Sequence, residues 1–283
     1  MSGASSSAGD WGLAFDYDGF SNLVSQRVVK GAAPVLEVVH DLATNRILGP
    51  GYRYDAAGNL VMTPGLQMSY DLRNRLVTTS SSGNGQEWYA YDPKNLPIWR
   101  QTVNGEETLY LYDILKRRIG CYKLVADAKG NLSFSVLDNN VYFGDRMLYS
   151  RGQAVVLDRI NSVRSWASAA SGGRTTKYLP FGQELAPTLQ DQDKFGSAMR
   201  SSSSGLDYAE QRPYSSILGR FLSPDPFLGS VRMDDPQTWN RFSFVENNPV
   251  NVTNPHGSFG DTRAGLPARR RKSLAESLFA RLV

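Results

Sequence analysis

An all-β fold is predicted for this chain of 283 residues. Aromatic residues make up 11% of the chain, with 14 Tyr and 12 Phe, and such side chains favour β-strands. The 26 Gly suit the numerous turns that join short strands. A Tyr-Asp dipeptide, followed each time by turn-forming residues, recurs along the chain, and this recurrence indicates a repeat of β-hairpins.

The repeat is clearest in Tyr54–Leu60, which reads YDAAGNL. From this copy onward the Tyr-Asp pairs begin 16, 21 and 21 residues apart, a length that fits one hairpin with its turn. We predict that Tyr ends a strand with its ring buried, that Asp accepts hydrogen bonds from amides of the turn, and that Gly or Asn takes the positive-φ position. Four other copies share these features: Tyr17–Leu23, Tyr70–Leu76, Tyr91–Leu96 and Tyr112–Ile119.

Further hairpins are predicted between and after these copies. Asn104-Gly105 joins two strand-like segments, and Asn-Gly is the dipeptide most typical of a tight hairpin turn. Two more hairpins are expected at 141–149 and 155–164. The small and polar residues 165–176 are predicted to form a loop, and the polar stretch 190–204 to lead into a C-terminal module.

Residue types that usually build metal or nucleophilic sites are scarce. Cys121 is the only cysteine in the sequence, so no internal disulfide can form. The two histidines, His40 and His256, are far apart in sequence and lie in no catalytic motif. We therefore predict neither a zinc site nor a Ser-His-Asp centre, and no cofactor.

The N-terminal residues 1–14 are predicted to be a disordered leader, because Ser, Gly and Ala dominate their first part. They contain neither a positively charged start nor an apolar core, so no signal peptide is predicted. No apolar run elsewhere in the sequence is long enough to cross a bilayer.

Positive charge is confined to the C-terminal end of the sequence. Residues 261–283 contain six basic and two acidic residues, a net charge of +4, which leaves 25 basic and 25 acidic residues in the first 260. Nucleic-acid-binding domains normally carry a basic face. No nucleic-acid partner is therefore predicted for the body of the protein.

Three stretches of the C-terminal half follow the repeats in a fixed order. They are YLPFG at 178–182, GLDY at 205–208 with RPY at 212–214, and GRFLSPDP at 219–226 with ENNPVN at 246–251. Together with the Tyr-Asp copies, they resemble the Rhs/YD-repeat proteins and their C-terminal Rhs repeat-associated core domain. The resemblance extends from about Phe15 to Gly257.

The resemblance implies a spiral of YD hairpins that forms a partial shell, followed by a small β-rich core module that acts as a plug. The expected domains are 15–189 for the repeats, 190–260 for the core module and 261–283 for a basic amphipathic tail. The resemblance also implies a secreted or cell-surface protein, and in this family the chain after the core is often a toxin held inside the shell for delivery to another cell. The implied partners are the remainder of a longer shell, an enclosed C-terminal polypeptide and a cell-surface contact.

Many proteins of this family cut themselves at the core boundary with a pair of aspartates, and the sequence departs from that pattern. Asp225 matches the first aspartate, but Asn254 stands in place of the second. An aspartyl pair needs one carboxyl group as base and another as acid, and an amide serves as neither. We therefore predict that Asp225 is a structural turn residue; Asp234 or Asp235 remains an alternative partner for residual catalysis.

A short C-terminal helix is predicted within residues 261–283. Ser273 and Glu276 form a capping-box pattern. Leu274, Leu278 and Leu282 then follow at helical spacing. Three interpretations stay open: a helix that binds a membrane surface or a protein, a nucleic-acid patch, or a poorly ordered remnant, so the partner of the tail is not identified.

The leading functional hypothesis is a structural scaffold, a fragment or reduced copy of a shell without an intact effector. Five repeats are too few to close a shell, so we expect an exposed edge strand near Phe15–Leu23. Two alternatives from other classes stay open: residual aspartyl self-cleavage, and a cell-surface or carbohydrate-binding module that uses the aromatic-rich strands.

Overall fold

The structure is a computed structural model that describes residues 1–6, 10–127, 129–168, 172–188, 191–209, 212–226 and 236–252. Within these ranges the chain forms 25 strands, all paired antiparallel, together with short 3-10 turns at Phe195–Ser197, Pro236–Trp239 and Val245–Asn247. The predicted all-β class is confirmed. No helix in the described ranges has the length and apolarity needed to cross a membrane.

The N-terminal residues form ordered strands where a disordered leader was expected. Trp11 and Leu13 are buried in the main hydrophobic core, and this burial explains why the segment is ordered despite its small neighbours. The expectation of an exposed edge near Phe15–Leu23 is also wrong, because β2 (Trp11–Tyr17) lies between β1 (Gly3–Ser5) and β3 (Leu23–Gly31), and its Phe15 is 3% exposed. The four-stranded sheet and the two-stranded sheet after it consist of β1 (Gly3–Ser5), β2 (Trp11–Tyr17), β3 (Leu23–Gly31), β4 (Leu36–Glu37), β5 (Val39–His40) and β6 (Ile47–Leu48).

The YD copies build a nine-stranded sheet, called here the repeat sheet. Its strands follow one another in chain order, as expected when each hairpin pairs with the next. Gly105, with φ 77°, takes the positive-φ position of the predicted Asn-Gly turn. The strands are β7 (Arg53–Tyr54), β8 (Leu60–Thr63), β9 (Leu66–Tyr70), β10 (Leu76–Ser81), β11 (Gly85–Tyr91), β12 (Pro97–Thr102), β13 (Glu107–Tyr112), β14 (Arg118–Ala126) and β15 (Leu132–Asn139).

Two five-stranded sheets follow the repeat sheet. The first confirms both predicted hairpins but also contains strands where residues 165–176 were expected to form a loop. Trp166, 2% exposed, anchors that segment in a small apolar cluster, and its burial outweighs the low strand propensity of its neighbours. The strands of this sheet are β16 (Val141–Phe143), β17 (Arg146–Ser150), β18 (Gln153–Leu157), β19 (Val163–Ser168) and β20 (Gly172–Thr175).

The last sheet, called here the C-terminal sheet, contains parts of the family stretches at 205–208, 212–214 and 219–226. Its strands are β21 (Gln192–Asp193), β22 (Met199–Arg200), β23 (Asp207–Ala209), β24 (Arg212–Ser215) and β25 (Arg220–Phe221). Phe181, Leu206 and Leu222 belong to the same hydrophobic core as Leu60 and Leu76 of the repeat sheet. The repeats and the C-terminal sheet are therefore packed on one shared core.

The YD turns have the predicted hydrogen bonds and the predicted positive-φ position, and more residue types occupy that position than expected. In the copy at Asp92 the carboxylate accepts hydrogen bonds from the amides of Lys94 and Leu96, each at 2.8 Å. Asn95 takes the positive-φ position, with φ 66°. That position is not restricted to Gly and Asn, since Ser21 and Lys116 occupy it with φ of 60° and 64°.

In three copies, those of Tyr70, Tyr91 and Tyr112, the tyrosine links its hairpin to the previous one. The hydroxyl of Tyr91 donates to the carbonyl oxygen of Leu76 at 2.7 Å, where the returning strand of the preceding copy begins. Tyr112 donates in the same way to Pro97 at 2.9 Å. The two residues of the Tyr-Asp dipeptide therefore have different structural roles. The Asp carboxylate stabilises its own turn by accepting amide hydrogen bonds. The Tyr hydroxyl holds that hairpin at a fixed distance from the preceding one.

Replacing Tyr91 by phenylalanine is expected to lower the free energy of unfolding by about 1 kcal/mol, because the carbonyl of Leu76 loses its hydroxyl donor. Tyr17→Phe is the matched control, since no described group accepts a hydrogen bond from the buried Tyr17 hydroxyl. The control is expected to change stability by less than about 0.5 kcal/mol. Urea denaturation of both variants measures the difference, and equal effects would show that the Tyr91 hydrogen bond does not stabilise the repeat.

Candidate functional site

Asp225, the predicted site residue, lies just after β25 and is 3% exposed. Its Oδ2 accepts a hydrogen bond from Nη2 of Arg212, on β24, at 3.2 Å. Its backbone amide donates to the carbonyl of Arg241 at 3.0 Å, and Nε of Arg241 donates back to the Asp225 carbonyl at 3.0 Å. Asp225 is thus held by both its carboxylate and its main chain.

Arg212 is a buried cation that forms an ion pair with the Asp225 carboxylate. Its guanidinium lies 3.6 Å above the centre of the Phe221 ring, in a site that is 3% exposed. Burial lowers the pKa of Arg212 to about 10, although the charge of Asp225 partly offsets this. The Asp225 carboxylate therefore lies beside a buried cation and forms an ion pair with it, as expected of a structural residue.

The other residues of the predicted aspartyl device fall outside the described residues. Asn254, Asp234 and Asp235 all lie there, as does the predicted tail helix at 261–283. A catalytic role for Asp225 therefore stays a prediction. Within the described ranges, no group of three or more His, Cys, Asp or Glu side chains is placed to hold a metal ion.

A buried ion cluster around Arg118 joins the repeat sheet to the C-terminal sheet. Nη2 of Arg118, at the start of β14, lies 2.5 Å from Oδ2 of Asp193 on β21 and 3.4 Å from Oδ2 of Asp138 on β15. Asn140 donates a further hydrogen bond to Asp193 at 3.2 Å. Burial alone would lower the pKa of Arg118, but the two carboxylates outweigh it and raise that pKa above its ordinary value.

A second cluster lies two strands away, at Arg100 on β12. Its Nη1 is 2.5 Å from Oδ1 of Asp191 and 3.4 Å from Oε1 of Glu87. Ser201, which follows β22, donates to the other oxygen of Glu87 at 2.9 Å. The clusters at Arg100 and Arg118 thus attach strands on either side of β13 to the same segment of chain, residues 191–201.

A third cluster lies inside the C-terminal part of the fold. Arg200 on β22 contacts Asp207 on β23 through two nitrogens, at 2.7 and 2.6 Å, and donates to the carbonyl of Gly182 at 2.8 Å. Lys194, whose side chain is 0% exposed, lies 2.7 Å from Glu184. Such satisfied ion pairs fix the relative positions of segments, because breaking one leaves a buried charge without its partner.

Sequence reasoning missed these clusters, although one signal was present. Arg118 occupies the fifth position after the repeat Asp, where the copies at Asp18, Asp55 and Asp71 carry leucine. A charged residue at an otherwise apolar repeat position indicates a buried polar contact. The partner carboxylate could not be inferred, since Asp193 lies 75 residues further along the chain.

A cavity of about 350 Å³ lies between the repeat sheet and the C-terminal sheet. Arg118 and Tyr112 line it from one side, and Phe195, Tyr208 and Tyr214 from the other. Its volume is that of a small-ligand pocket and far below that of a folded domain.

Comparison with known proteins gives a consistent picture. Residues 11–250 match the family model of the teneurin YD-shell. The chain is 24% identical to teneurin-1 of Gallus gallus over 249 residues, which cover 85% of this chain and 9% of teneurin-1.

Solved structures show the same fold. The Tc holotoxin pore of Photorhabdus luminescens with a mutation in TccC3 superposes with a TM-score of 0.67 at 15% identity, covering 91% of this chain and 14% of that one. The complex of TcdB2, TccC3 and Cdc42 gives a TM-score of 0.50 at 15% identity, covering 88% of this chain and 17% of the other. The chain thus spans less than a fifth of the length of each of these proteins.

Proposed function

The chain belongs to the teneurin YD-shell family, and from this premise we propose that it is a structural scaffold, the C-terminal portion of a longer YD shell. The proposal rests chiefly on the buried ion clusters at Arg100 and Arg118, which attach the repeat sheet to the C-terminal sheet. Together with the shared hydrophobic core, they make a rigid wall in which each hairpin is fixed to its neighbours.

The proposed partners are the remainder of the shell and a polypeptide enclosed by it. The match to the Tc holotoxin pore supports this, because it covers 91% of this chain but only 14% of the matched chain. Repeat architectures are extended by adding hairpins of the same kind. For the longer protein of which this chain would be a part, the proposed roles are confinement of a toxin and its export.

Self-cleavage is not part of the proposed role. Arg212 is the counter-ion of the Asp225 carboxylate, at 3.2 Å, and this ion pair supports a structural role for Asp225. A purified sample is therefore expected to keep the intact mass of all 283 residues when measured fresh and again after several days. Loss of the residues after Gly257 in this sample, absent in Asp225→Asn, would instead establish the aspartyl alternative.

The Asp225→Asn variant also tests the structural role directly. Its free energy of unfolding is expected to fall by about 3 kcal/mol, because the substitution removes the carboxylate that lies 3.2 Å from the buried Arg212 guanidinium. Asp16→Asn is the control, since the Asp16–Arg27 pair is largely exposed and is expected to contribute less than about 1 kcal/mol. Thermal and urea unfolding measure both, and a negligible effect at Asp225 would contradict a structural function for the pair.

A further inference from the structure

Strand β15 is an unusually long free edge. It contributes eight residues, Leu132–Asn139, and pairs only with β14 among the described residues. Every other sheet edge in the described ranges is two to four residues long. A long edge offers a row of unpaired amide and carbonyl groups to another strand.

This edge lacks the features that usually prevent strand addition. Residues 132–137 read LSFSVL and contain no charge and no proline. The opposite edge of the same sheet, β7, has two residues and begins with Arg53. One end of the repeat sheet is therefore protected and the other is open.

The outward face of β15 is apolar and exposed. Leu132, Phe134 and Val136 alternate along this face and are 67%, 63% and 55% exposed. In the register with β14, Phe134 lies opposite Leu124 and Val136 opposite Tyr122. The apolar surface thus continues from β14 to the free edge, where it ends without cover from a described residue.

The sequence of β15 is symmetric in residue type about Phe134. Around Phe134 the sequence reads Leu-Ser-Phe-Ser-Val, so residues at equal distances on either side are of the same type. We propose that β15 pairs antiparallel with β15 of a second copy of this chain, about a two-fold axis at Phe134. Phe134 then lies opposite its own copy, Leu132 opposite Val136, and Ser133 opposite Ser135.

Three features fix this register. A two-fold axis normal to the sheet keeps the outward faces of both copies on the same side, so even-numbered residues must pair with even-numbered residues. Centring on Phe134 places apolar side chains opposite one another throughout the outward row. It also leaves Asp138 outside the paired segment, where Ser150 and Arg118 already hold its carboxylate.

The resulting dimer joins two repeat sheets into one continuous sheet, and it is independent of the scaffold role proposed above. The contact consists of one strand pair and a single row of apolar side chains, which places it at the low end of specific interface sizes. A reversible dimer of micromolar affinity is therefore expected. Its population should rise with protein concentration.

Cysteine cross-linking tests the register. In Phe134→Cys the two sulfurs meet at the axis, with Cα atoms about 5 Å apart, inside the range for a disulfide. In the matched control Ser135→Cys, the two Cα atoms are about 8 Å apart, outside that range. Cys121 is buried and does not compete.

Mild oxidation is expected to convert Phe134→Cys, and not Ser135→Cys, into a covalent dimer on a non-reducing gel. Cross-linking of Ser135→Cys in place of Phe134→Cys would overturn the register, and no cross-linking of either would overturn the pairing.

Sedimentation of the unmodified chain gives a second, independent readout. A monomer–dimer equilibrium is expected, which Phe134→Lys abolishes and Phe143→Lys, at a 79% exposed site on the short edge β16, leaves unchanged. A strictly monomeric chain, a dimer that survives Phe134→Lys, or a larger oligomer would each overturn the proposal.

Discussion

Replacing Arg118 by leucine is expected to lower the free energy of unfolding by about 4 kcal/mol. The variant leaves the side chains of Asp193 and Asp138, 6% and 0% exposed, without the guanidinium that lies between them. Two buried carboxylates then face each other across the junction of the repeat sheet and the C-terminal sheet. The expected cost is therefore chiefly that of the buried Asp193 carboxylate without its cation, since Arg151 still lies 3.6 Å from Asp138.

The matched control for this prediction is Arg27→Leu. Arg27 forms an ion pair with Asp16 at 2.9 Å, but the side chains are 61% and 49% exposed, and such pairs contribute less than about 1 kcal/mol. A double variant, Arg118→Leu with Asp193→Leu, is expected to recover part of the loss because it removes both members of the closest pair. Urea denaturation measures all three, and similar small losses for Arg118→Leu and Arg27→Leu would contradict a stabilising role for the cluster.

The fold could be predicted where local chemistry repeats. Each YD turn is specified within five residues by an Asp that accepts amide hydrogen bonds and a residue that tolerates positive φ, so the hairpins were readable from Tyr54–Leu60 and its copies. The strand at 163–168 was predicted as a loop because most of its residues are small or polar. Only the structure shows that Trp166 within it is buried. The ordered start of the chain was missed for the same reason, since burial of Trp11 and Leu13 depends on distant parts of the core.

The candidate site was only partly predictable. The family stretches identified Asp225 as the residue to examine, and the amide at Asn254 led to a structural interpretation of it. Its counter-ion Arg212 could not be named, since the pair forms only when β24 and β25 are placed side by side. Long-range ion pairs leave no periodic signal in the sequence, which explains why the clusters at Arg100 and Arg118 were found only in the structure.

The stability of the protein is expected to fall between about pH 6.5 and pH 4 because of His40. This histidine takes the place of the repeat tyrosine before Asp41 and is 6% exposed. Burial, aided by the charge of Arg220, lowers its pKa from 6.5 to about 4. The unfolded chain therefore binds a proton on His40 at pH values where the folded chain does not, so the contribution of neutral His40 is complete above pH 6.5 and is lost as the pH falls towards 4.

The His40→Leu variant isolates this effect. Leucine is apolar and cannot take up a proton, so the variant removes the titrating group from this buried position. Urea unfolding at a series of pH values is expected to show a slope of at most about 1.4 kcal/mol per pH unit in the parent chain, and a smaller slope in His40→Leu.

The aspartates of the turns affect the free energy of unfolding mainly at lower pH than His40 does. Hydrogen bonds from Thr44 and Asn131 hold the pKa values of Asp41 and Asp127 below 3.8, so the stability that these groups contribute is lost as the pH falls through those lowered values. His256→Leu, which removes the other histidine, is the control and is expected to keep the parent slope. If His40→Leu also kept the full slope between pH 6.5 and 4, His40 would not be the group that takes up the proton on unfolding.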